Sequence, residues 1–278
     1  VPITIGLAQM VVLSIGQMNL AVGTMGGVTC AIMAVLMADH NVPIWLAIPI
    51  GLLSATLMGA INGALVVLTQ LNGFIITLGT YTILLGFQYR LVKTFTIDKY
   101  PSSLPEFGKK AFLGFPYILV IAIMTAVLLS LFFSRTIMGR RILATGGNPL
   151  AARLSGVSNN RSVFLAHTLS GLLIGVAAVI TIASLPGINR SIGGDWLLAS
   201  FAAPIIGGVL MSGGTIAIYG TVIAAGVVRL VDIARAQYSL DPSIVSLSVG
   251  VVTLSTVALS EWRRRRTERA NEGIKGVQ

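Results

Sequence analysis

The chain has 278 residues, of which 55% are hydrophobic and only 10% are charged, and its mean hydropathy is +0.89. A soluble domain carries about 25% charged residues, so this composition excludes an ordinary soluble protein. The net charge of +10 does not indicate a nucleic-acid-binding protein, because the basic residues lie in connecting segments and in a C-terminal run rather than on one folded face. Cys30 is the single cysteine, which excludes a disulfide framework and a cysteine metal cluster.

Apolar runs of about 17–25 residues recur along the chain, which is the length that an α-helix needs to cross a bilayer. They predict an all-α, polytopic helical membrane protein with a transmembrane domain over residues 1–262 and a basic cytoplasmic tail over residues 263–278. About nine spans are predicted, over residues 1–16, 20–38, 43–68, 73–91, 116–134, 163–184, 196–211, 217–234 and 243–261.

The basic residues predict the orientation of these spans. A polar insert over residues 135–162 carries five arginines, and the tail carries another basic cluster that begins at Arg263. The positive-inside rule places both segments in the cytoplasm, and the parity of the spans then places the loop 92–115 outside. With nine spans and a cytoplasmic C-terminus, Val1 would lie outside, so we expect that a further span precedes it. The five arginines of the insert are Arg135, Arg140, Arg141, Arg153 and Arg161.

The interior of the insert predicts a turn followed by a short helix. Gly146 and Gly147 favour a tight reversal, Asn148 is a good N-cap, and Pro149 is suited to the first helical turn. Gly156 would end this helix. A helix of about two turns is marginal alone in water, so we expect it to present a surface to a soluble partner inside the cell.

Polar residues interrupt the apolar runs at several positions. In a membrane such residues tend to face the interior of the bundle or a water-filled path. The sequence around Gln17 and Asn19 is flanked by glycines, which favours a break in the helix that lines a cavity. The alternative is that each polar side chain only forms hydrogen bonds to neighbouring helices. The candidates for a translocation path are Gln17, Asn19, Asn62, Thr77 and Thr80.

Glycine pairs at helix-packing spacing predict close contacts between spans. Such pairs allow two helix backbones to approach each other in lipid. The pairs are Gly23/Gly27, Gly59/Gly63 and Gly171/Gly175.

No catalytic constellation is present in the sequence. The run Gly108-Lys109-Lys110 lacks both the preceding glycine and the following hydroxyl of a phosphate-binding loop. The chain is therefore predicted not to be an enzyme and to bind no cofactor or metal, and any ATP would be bound by another chain.

Three motifs in order resemble one family. They are Gly59–Val66 followed by Phe74–Thr80, the run Gly139–Gly156, and the glycine pairs Gly207-Gly208 and Gly213-Gly214. Together they resemble the membrane permeases of bacterial ABC importers of the ribose/xylose/galactose type, over essentially the whole chain.

This resemblance implies a type II importer fold of ten spans in the bacterial inner membrane. It also implies a second permease subunit, cytoplasmic ATPase subunits and an extracytoplasmic solute-binding protein as partners. The run Gly139–Gly156 corresponds to the segment that couples the permease to its ATPase. The coupling residues implied are Arg140, Gly146, Gly147, Asn148, Arg153, Ser155 and Gly156.

The chain departs from the family pattern at a few positions, which leaves its cargo open. Asn19 stands where the family usually has an aspartate, and Thr215-Ile216 stand where a basic residue and glycine are usual. A sugar, a polyol or a signalling sugar would each fit, in a homodimer or a heterodimer. The alternatives are a permease for branched-chain amino acids, an ion-coupled secondary transporter, which would need ionisable groups at mid-membrane, and a membrane scaffold without transport activity.

Overall fold

The computed structural model describes residues 1–93, 96–98, 100–101, 103–112 and 114–237, together with the single positions 250, 251 and 255. The helices in these residues are α1 (Pro2–Leu13), α2 (Val22–Ala38), α3 (Ile44–Thr69), α4 (Gly73–Leu91), α5 (Ser103–Lys109), α6 (Tyr117–Arg135), α7 (Ile137–Gly147), α8 (Pro149–Leu154), α9 (Asn159–Ile182), α10 (Trp196–Ile206) and α11 (Ile218–Gln237). Four two-residue strands are β1 (Thr96–Ile97), β2 (Ala111–Phe112), β3 (Phe115–Pro116) and β4 (Ile188–Asn189).

The chain divides into a compact unit over residues 1–226 and a second unit over residues 227–278. In the second unit the structure describes the last part of α11 and the three single positions. The predicted span 243–261 and the basic tail therefore lie almost wholly outside the described residues.

Every predicted span from 1–16 to 217–234 contains a helix, which confirms the helical membrane class. By length and composition α3, α6 and α9 can each cross a membrane, and α1, α2, α10 and the first part of α11 are shorter apolar helices. With 11 residues, α10 is only about 17 Å long, against about 30 Å of hydrocarbon. The full-length helix predicted over residues 196–211 is corrected to that extent. Helix α1 ends at Leu13, three residues before the end of the span predicted over residues 1–16.

Helices α1 and α10 each end in a glycine-containing break. The first break covers residues 14–21 between α1 and α2, and contains Gly16 at φ +70°. The second break covers residues 207–217 between α10 and α11, and contains Gly208, Gly213 and Gly214, all at positive φ. Glycine adopts this left-handed conformation without a steric penalty, which explains why the helices stop there while the sequence stays apolar. The break predicted at Gln17–Asn19 is confirmed.

Helices α3 and α9 pack through the predicted glycine pairs. A Cβ atom built on Gly59 would lie 2.8 Å from the Cα of Gly171, and one built on Gly63 would lie 3.0 Å from the Cβ of His167. Larger side chains would separate these helices, so the small residues set their distance. The pair Gly23/Gly27 behaves differently, since its neighbours are the backbone of Gly193 and the Gln88 side chain.

Helix α1 lies in the core, with every residue from Thr4 to Leu13 buried.

The end of the bundle opposite the insert is closed by side chains that bind backbone carbonyls. Arg190 donates from Nε to the Val92 carbonyl at 2.7 Å and from Nη2 to the Lys93 carbonyl at 2.6 Å. Gln88 donates to the carbonyls of Arg190 and Ile192 at 3.0 and 2.9 Å, and the Tyr100 hydroxyl donates to the Leu185 carbonyl. Strand β1 pairs antiparallel with β4 nearby. The described residues of the loop predicted over residues 92–115 therefore contribute to a cap on this end of the bundle.

Candidate functional site

The insert forms two consecutive helices, α7 and α8, between α6 and α9. The Thr136 hydroxyl accepts a hydrogen bond from the Gly139 amide at 3.0 Å and so caps α7. The Asn148 side chain accepts one from the Ala151 amide at 3.0 Å and caps α8, with Pro149 in the first turn. Gly156 follows α8 at φ +79°. The predicted short helix, its cap and its stop are thus confirmed.

Gly146 and Gly147 do not form the predicted reversal, because they are the last two residues of α7. The change of direction is made instead by Asn148, whose backbone is extended at φ −154° and ψ 97°. Gly146 is required by a close approach. A Cβ atom on Gly146 would overlap the Ser14 carbonyl oxygen and would lie 2.7 Å from the Gly214 amide nitrogen.

We call this close approach the glycine junction, formed by Gly16, Gly146, Gly147, Gly213 and Gly214. The Gly214 amide donates to the Ser14 carbonyl at 2.8 Å, which joins the two breaks directly. A Cβ atom on Gly213 would lie 2.7 Å from the Gly16 amide nitrogen, and one on Gly214 would lie 2.6 Å from the Gly147 Cα. Backbone contacts backbone here with no side chain between them, so the end of α7 cannot move towards either break without displacing it.

The outer surface of α8 is apolar and basic. Leu150 and Leu154 are 69% and 81% exposed, and Arg153 lies exposed between them, whereas Ala152 is buried and anchors the helix. Exposed apolar side chains grouped on a short helix are typical of a protein interaction site. Arg140, Ser155 and Gly156, also predicted as coupling residues, are exposed at the same end.

Asn159 fixes α8 to its neighbours. Its Nδ2 donates to the Pro149 carbonyl at 2.9 Å, and its Oδ1 accepts from the Thr145 hydroxyl at 3.4 Å. The first residue of α9 therefore contacts both α7 and α8.

A cleft of about 530 Å³ lies between the insert and the adjoining end of α3. It brings together one predicted path residue, Gln17, and one predicted coupling residue, Arg153. Its walls are mixed, with amide and hydroxyl groups beside aliphatic side chains. The residues that line it include Gln17, Gln70, Leu71, Arg153, Asn159 and Asn160.

The other predicted path residues are hydrogen-bonded within the chain. The Asn19 and Asn62 amides both donate to the Met25 sulfur, at 3.7 and 3.6 Å, and both side chains are buried. The Thr77 hydroxyl donates to the Gly73 carbonyl at 2.7 Å and accepts from the Leu20 amide at 3.0 Å.

Gln17, Asn19, Asn62 and Thr77 are therefore placed around the first break. Thr80 lies one turn further along α4, where its hydroxyl donates to the Thr77 carbonyl at 3.2 Å. Water access to these groups stays a prediction.

Two residues that the sequence did not single out for the path contribute to this cluster. His167 is fully buried, its Nε2 lies 2.9 Å from Gln17 Oε1, and its Nδ1 has no hydrogen-bond partner among the described residues. Gln9 bonds the Asn19 backbone when its amide is oriented to donate to the carbonyl at 3.0 Å and accept from the amide at 3.2 Å. The sequence does mark both residues as polar side chains within apolar runs. It does not show which residues they contact.

The described residues contain no group of three His, Cys, Asp or Glu side chains that could hold a metal ion.

Comparisons with known proteins identify the family. Residues 3–257 match the family described as "Branched-chain amino acid transport system / permease component". The chain is 29% identical over 269 residues to the fructose import permease protein FrcC of Rhizobium meliloti, covering 94% of this chain and 75% of that protein. It is 30% identical over 221 residues to the autoinducer 2 import system permease protein LsrD of Photorhabdus luminescens, covering 77% and 66%. For LsrD of Yersinia enterocolitica the identity is 29% over 273 residues, covering 92% and 82%.

No solved structure matches the chain. The resemblance to sugar import permeases that the motifs indicated is confirmed by these relatives. Since the family match extends through both breaks and the insert, the chain belongs to this permease family, as a multi-pass membrane protein with a transport role rather than an enzyme.

Proposed function

We propose that this chain is the membrane-spanning subunit of an ATP-driven importer that carries a sugar or a sugar-like solute across the bacterial inner membrane. The observation that carries the proposal is the exposed, capped helix α8, which directly follows the end of α7 at the glycine junction between the two breaks. A soluble protein that binds α8 has a direct mechanical connection to the centre of the bundle. An importer with a separate ATPase requires such a connection.

The ATPase subunit binds the face of α8 that carries Leu150, Arg153 and Leu154. The two leucines fill an apolar groove, and Arg153 holds a carboxylate or a helix C-terminus through its planar guanidinium. ATP is bound and hydrolysed on that separate chain, in agreement with the lack of a phosphate-binding loop in this sequence. The insert and the C-terminus then face the cytoplasm, and the cap formed by Gln88, Arg190 and the β1–β4 pair faces outward, where a solute-binding protein delivers the cargo.

Movement of α8 is transmitted through α7 to the glycine junction and so to the first break. The polar groups at this break (Gln17, Asn19 and Thr77), with Asn62 and Thr80, line the route when the dimer of permease subunits opens. Amides and hydroxyls suit an uncharged polyhydroxylated cargo, because they exchange hydrogen bonds with it one at a time and do not trap it. A cysteine placed at Asn62 in a Cys30→Ser background should react with water-soluble thiol reagents in one transport state and not in the other.

The cargo class follows from the relatives, whose names specify import of fructose and of autoinducer 2. The family description favours a second candidate, a branched-chain amino acid. The test is to co-purify the solute-binding protein and titrate it with sugars, polyols and amino acids, and then to measure uptake into proteoliposomes. Uptake of leucine or isoleucine without uptake of any sugar or polyol would overturn the proposed cargo. ATP-independent uptake would overturn the proposed importer.

A further inference from the structure

The insert carries positive charge that no carboxylate among the described residues neutralises. Between Glu106 and Asp195 the sequence contains neither Asp nor Glu, yet all five arginines of the insert lie within this stretch. None of the described residues gives any of the five a carboxylate partner. These exposed guanidinium groups are therefore available to an anion from another molecule. Arg153 has a proposed partner in the ATPase, whereas Arg135 and Arg141 do not.

Arg135 and Arg141 flank an exposed apolar pair at the start of α7. Ile137 is 60% exposed and Met138 is 53% exposed, and both arginines are exposed as well. On a helix, residues three and four apart lie on the same face. Arg141 is therefore next to both apolar side chains, and the first turn of α7 is amphipathic.

This surface continues the lipid-facing side of α6. Met124, Val127, Leu128 and Leu131 are exposed at helical spacing along α6, and Arg135, four residues after Leu131, ends the same stripe. Thr136 is the single residue between the helices. The start of α7 is therefore at the boundary between hydrocarbon and headgroups. Helix α8, which presents Arg153, follows only after the whole length of α7.

We infer that Arg135, Ile137, Met138 and Arg141 form a binding surface for an anionic phospholipid of the adjoining leaflet. The two apolar side chains insert between the acyl chains near the headgroups, and the two guanidinium groups each bind phosphate oxygens in the planar geometry that arginine favours. The continuity with the α6 stripe favours a lipid over the ATPase as the partner of this pair. A lipid bound here would hold the start of α7 in place. The far end of α7, at the glycine junction, would then move relative to this fixed start.

The test is native mass spectrometry of the full-length chain in detergent, titrated with phosphatidylglycerol or with phosphatidylcholine. The double variant Arg135→Gln/Arg141→Gln should bind phosphatidylglycerol about 30-fold more weakly, at about fivefold for each basic residue, with little change for phosphatidylcholine. The matched control is Arg153→Gln/Arg161→Gln, which removes the same net charge from the same end of the bundle. The variant Arg135→Lys/Arg141→Lys keeps the charge without the planar fork, so it should bind more weakly than the wild type and more tightly than the glutamine variant.

Three outcomes would overturn the inference. An equal loss in the Arg153→Gln/Arg161→Gln control would mean that net charge alone attracts the lipid. Equal binding of phosphatidylcholine by the wild-type chain would remove the requirement for an anion. Competition by glycerol phosphate at the concentration of the lipid would indicate a site for soluble phosphates. A gel-filtration profile and circular dichroism spectrum like those of the wild type establish that each variant is folded.

Discussion

The imidazole Nε2 of His167 lies 2.9 Å from the side-chain oxygen of Gln17, and this contact joins the break after α1 to α9. An amide oxygen can only accept a hydrogen bond, so Nε2 carries the proton in this arrangement. Gln17 also lines the cleft beside α8. The hydrogen bond thus connects the buried part of the bundle with the surface proposed to face the ATPase.

Replacing Gln17 with alanine should leave the buried Nε2–H of His167 without its acceptor. A buried donor that loses its partner costs about 1–3 kcal/mol, so the variant Gln17→Ala should unfold at lower temperature in detergent. It should also show faster ATP hydrolysis without the solute-binding protein, because the first break is held less firmly. The control is Asn160→Ala, an exposed residue of the same cleft. Equal thermal stability of the two variants would show that the contact contributes nothing.

The glycine junction should tolerate no side chain at Gly146. Gly146→Ala places a methyl group on the Ser14 carbonyl, and such overpacking costs about 1–3 kcal/mol or more because only backbone could move aside. We expect lower thermal stability and loss of uptake. Gly79→Ala is the matched control, since no atom lies within 4 Å of a Cβ atom at Gly79 and alanine favours a helix. Wild-type uptake by Gly146→Ala would show that the junction does not transmit movement.

The local structure of the insert was predictable because it depends on neighbouring residues. Asn148, Pro149 and Gly156 determine the start and end of α8 through a cap, a fixed φ and a left-handed stop. The sequence predicts a tight reversal at Gly146 and Gly147, whereas these residues end α7. The prediction is wrong because a glycine pair is equally suited to a turn and to a close backbone contact. Only the tertiary structure, which brings Ser14 and Gly214 to Gly146, distinguishes the two uses.

The ends of α1 and α10 and the His167 contact could not be obtained from the sequence for related reasons. Hydropathy stays high through Leu13 and through Ile206 although the helices end there, so an apolar run does not show where a helix stops inside a membrane. Gln17 and His167 are 150 positions apart in the chain. Each side chain was visible as a polar residue in an apolar run, but pairing them requires the packing of α3 against α9 that places His167 beside the first break.

The orientation of the bundle can be tested with reporter fusions. A reporter fused after Gln70, which lines the cleft beside the insert, should be cytoplasmic, and one fused after Lys110, in the cap, should lie outside. A fusion after Gln278 should again be cytoplasmic, because the tail carries a dense cluster of basic residues. Alkaline phosphatase and a fluorescent protein at each position provide reciprocal readouts. If Lys110 reports as cytoplasmic, the whole proposed orientation is wrong.

The cap should weaken at high pH through Tyr100. Burial raises the pKa of the Tyr100 hydroxyl to about 12, above the ordinary value of about 10, because removal from water disfavours the charged phenolate. In its neutral form the hydroxyl donates to the Leu185 carbonyl. Its contribution to stability is therefore complete below about pH 10 and is lost as the pH rises towards 12. Tyr100→Phe should remove this part of the alkaline loss and lower stability at neutral pH by about 1 kcal/mol. Thermal unfolding at pH 8 and pH 11 measures both effects, and an unchanged pH profile would exclude Tyr100 as their source.

The coupling role of α8 is tested most directly at Arg153. Arg153→Glu should place a negative charge against the carboxylate or helix C-terminus of the ATPase and abolish assembly, whereas Arg153→Lys should retain part of it, because lysine keeps the charge without the planar fork. Asn148→Ala should weaken α8 by about 1 kcal/mol through loss of its cap and reduce coupling less severely. Both side chains are exposed, so the membrane fold should persist in all three variants.

The measurements are co-purification of the ATPase, hydrolysis stimulated by the solute-binding protein, and uptake in proteoliposomes. Lys110→Glu is the matched control, because it reverses one exposed charge at the opposite end of the bundle. Loss of uptake with intact assembly in Arg153→Glu would place Arg153 in transmission of the movement rather than in docking. Wild-type assembly, hydrolysis and uptake in Arg153→Glu would show that α8 is not the coupling element, and the membrane scaffold without transport activity would then have to be reconsidered.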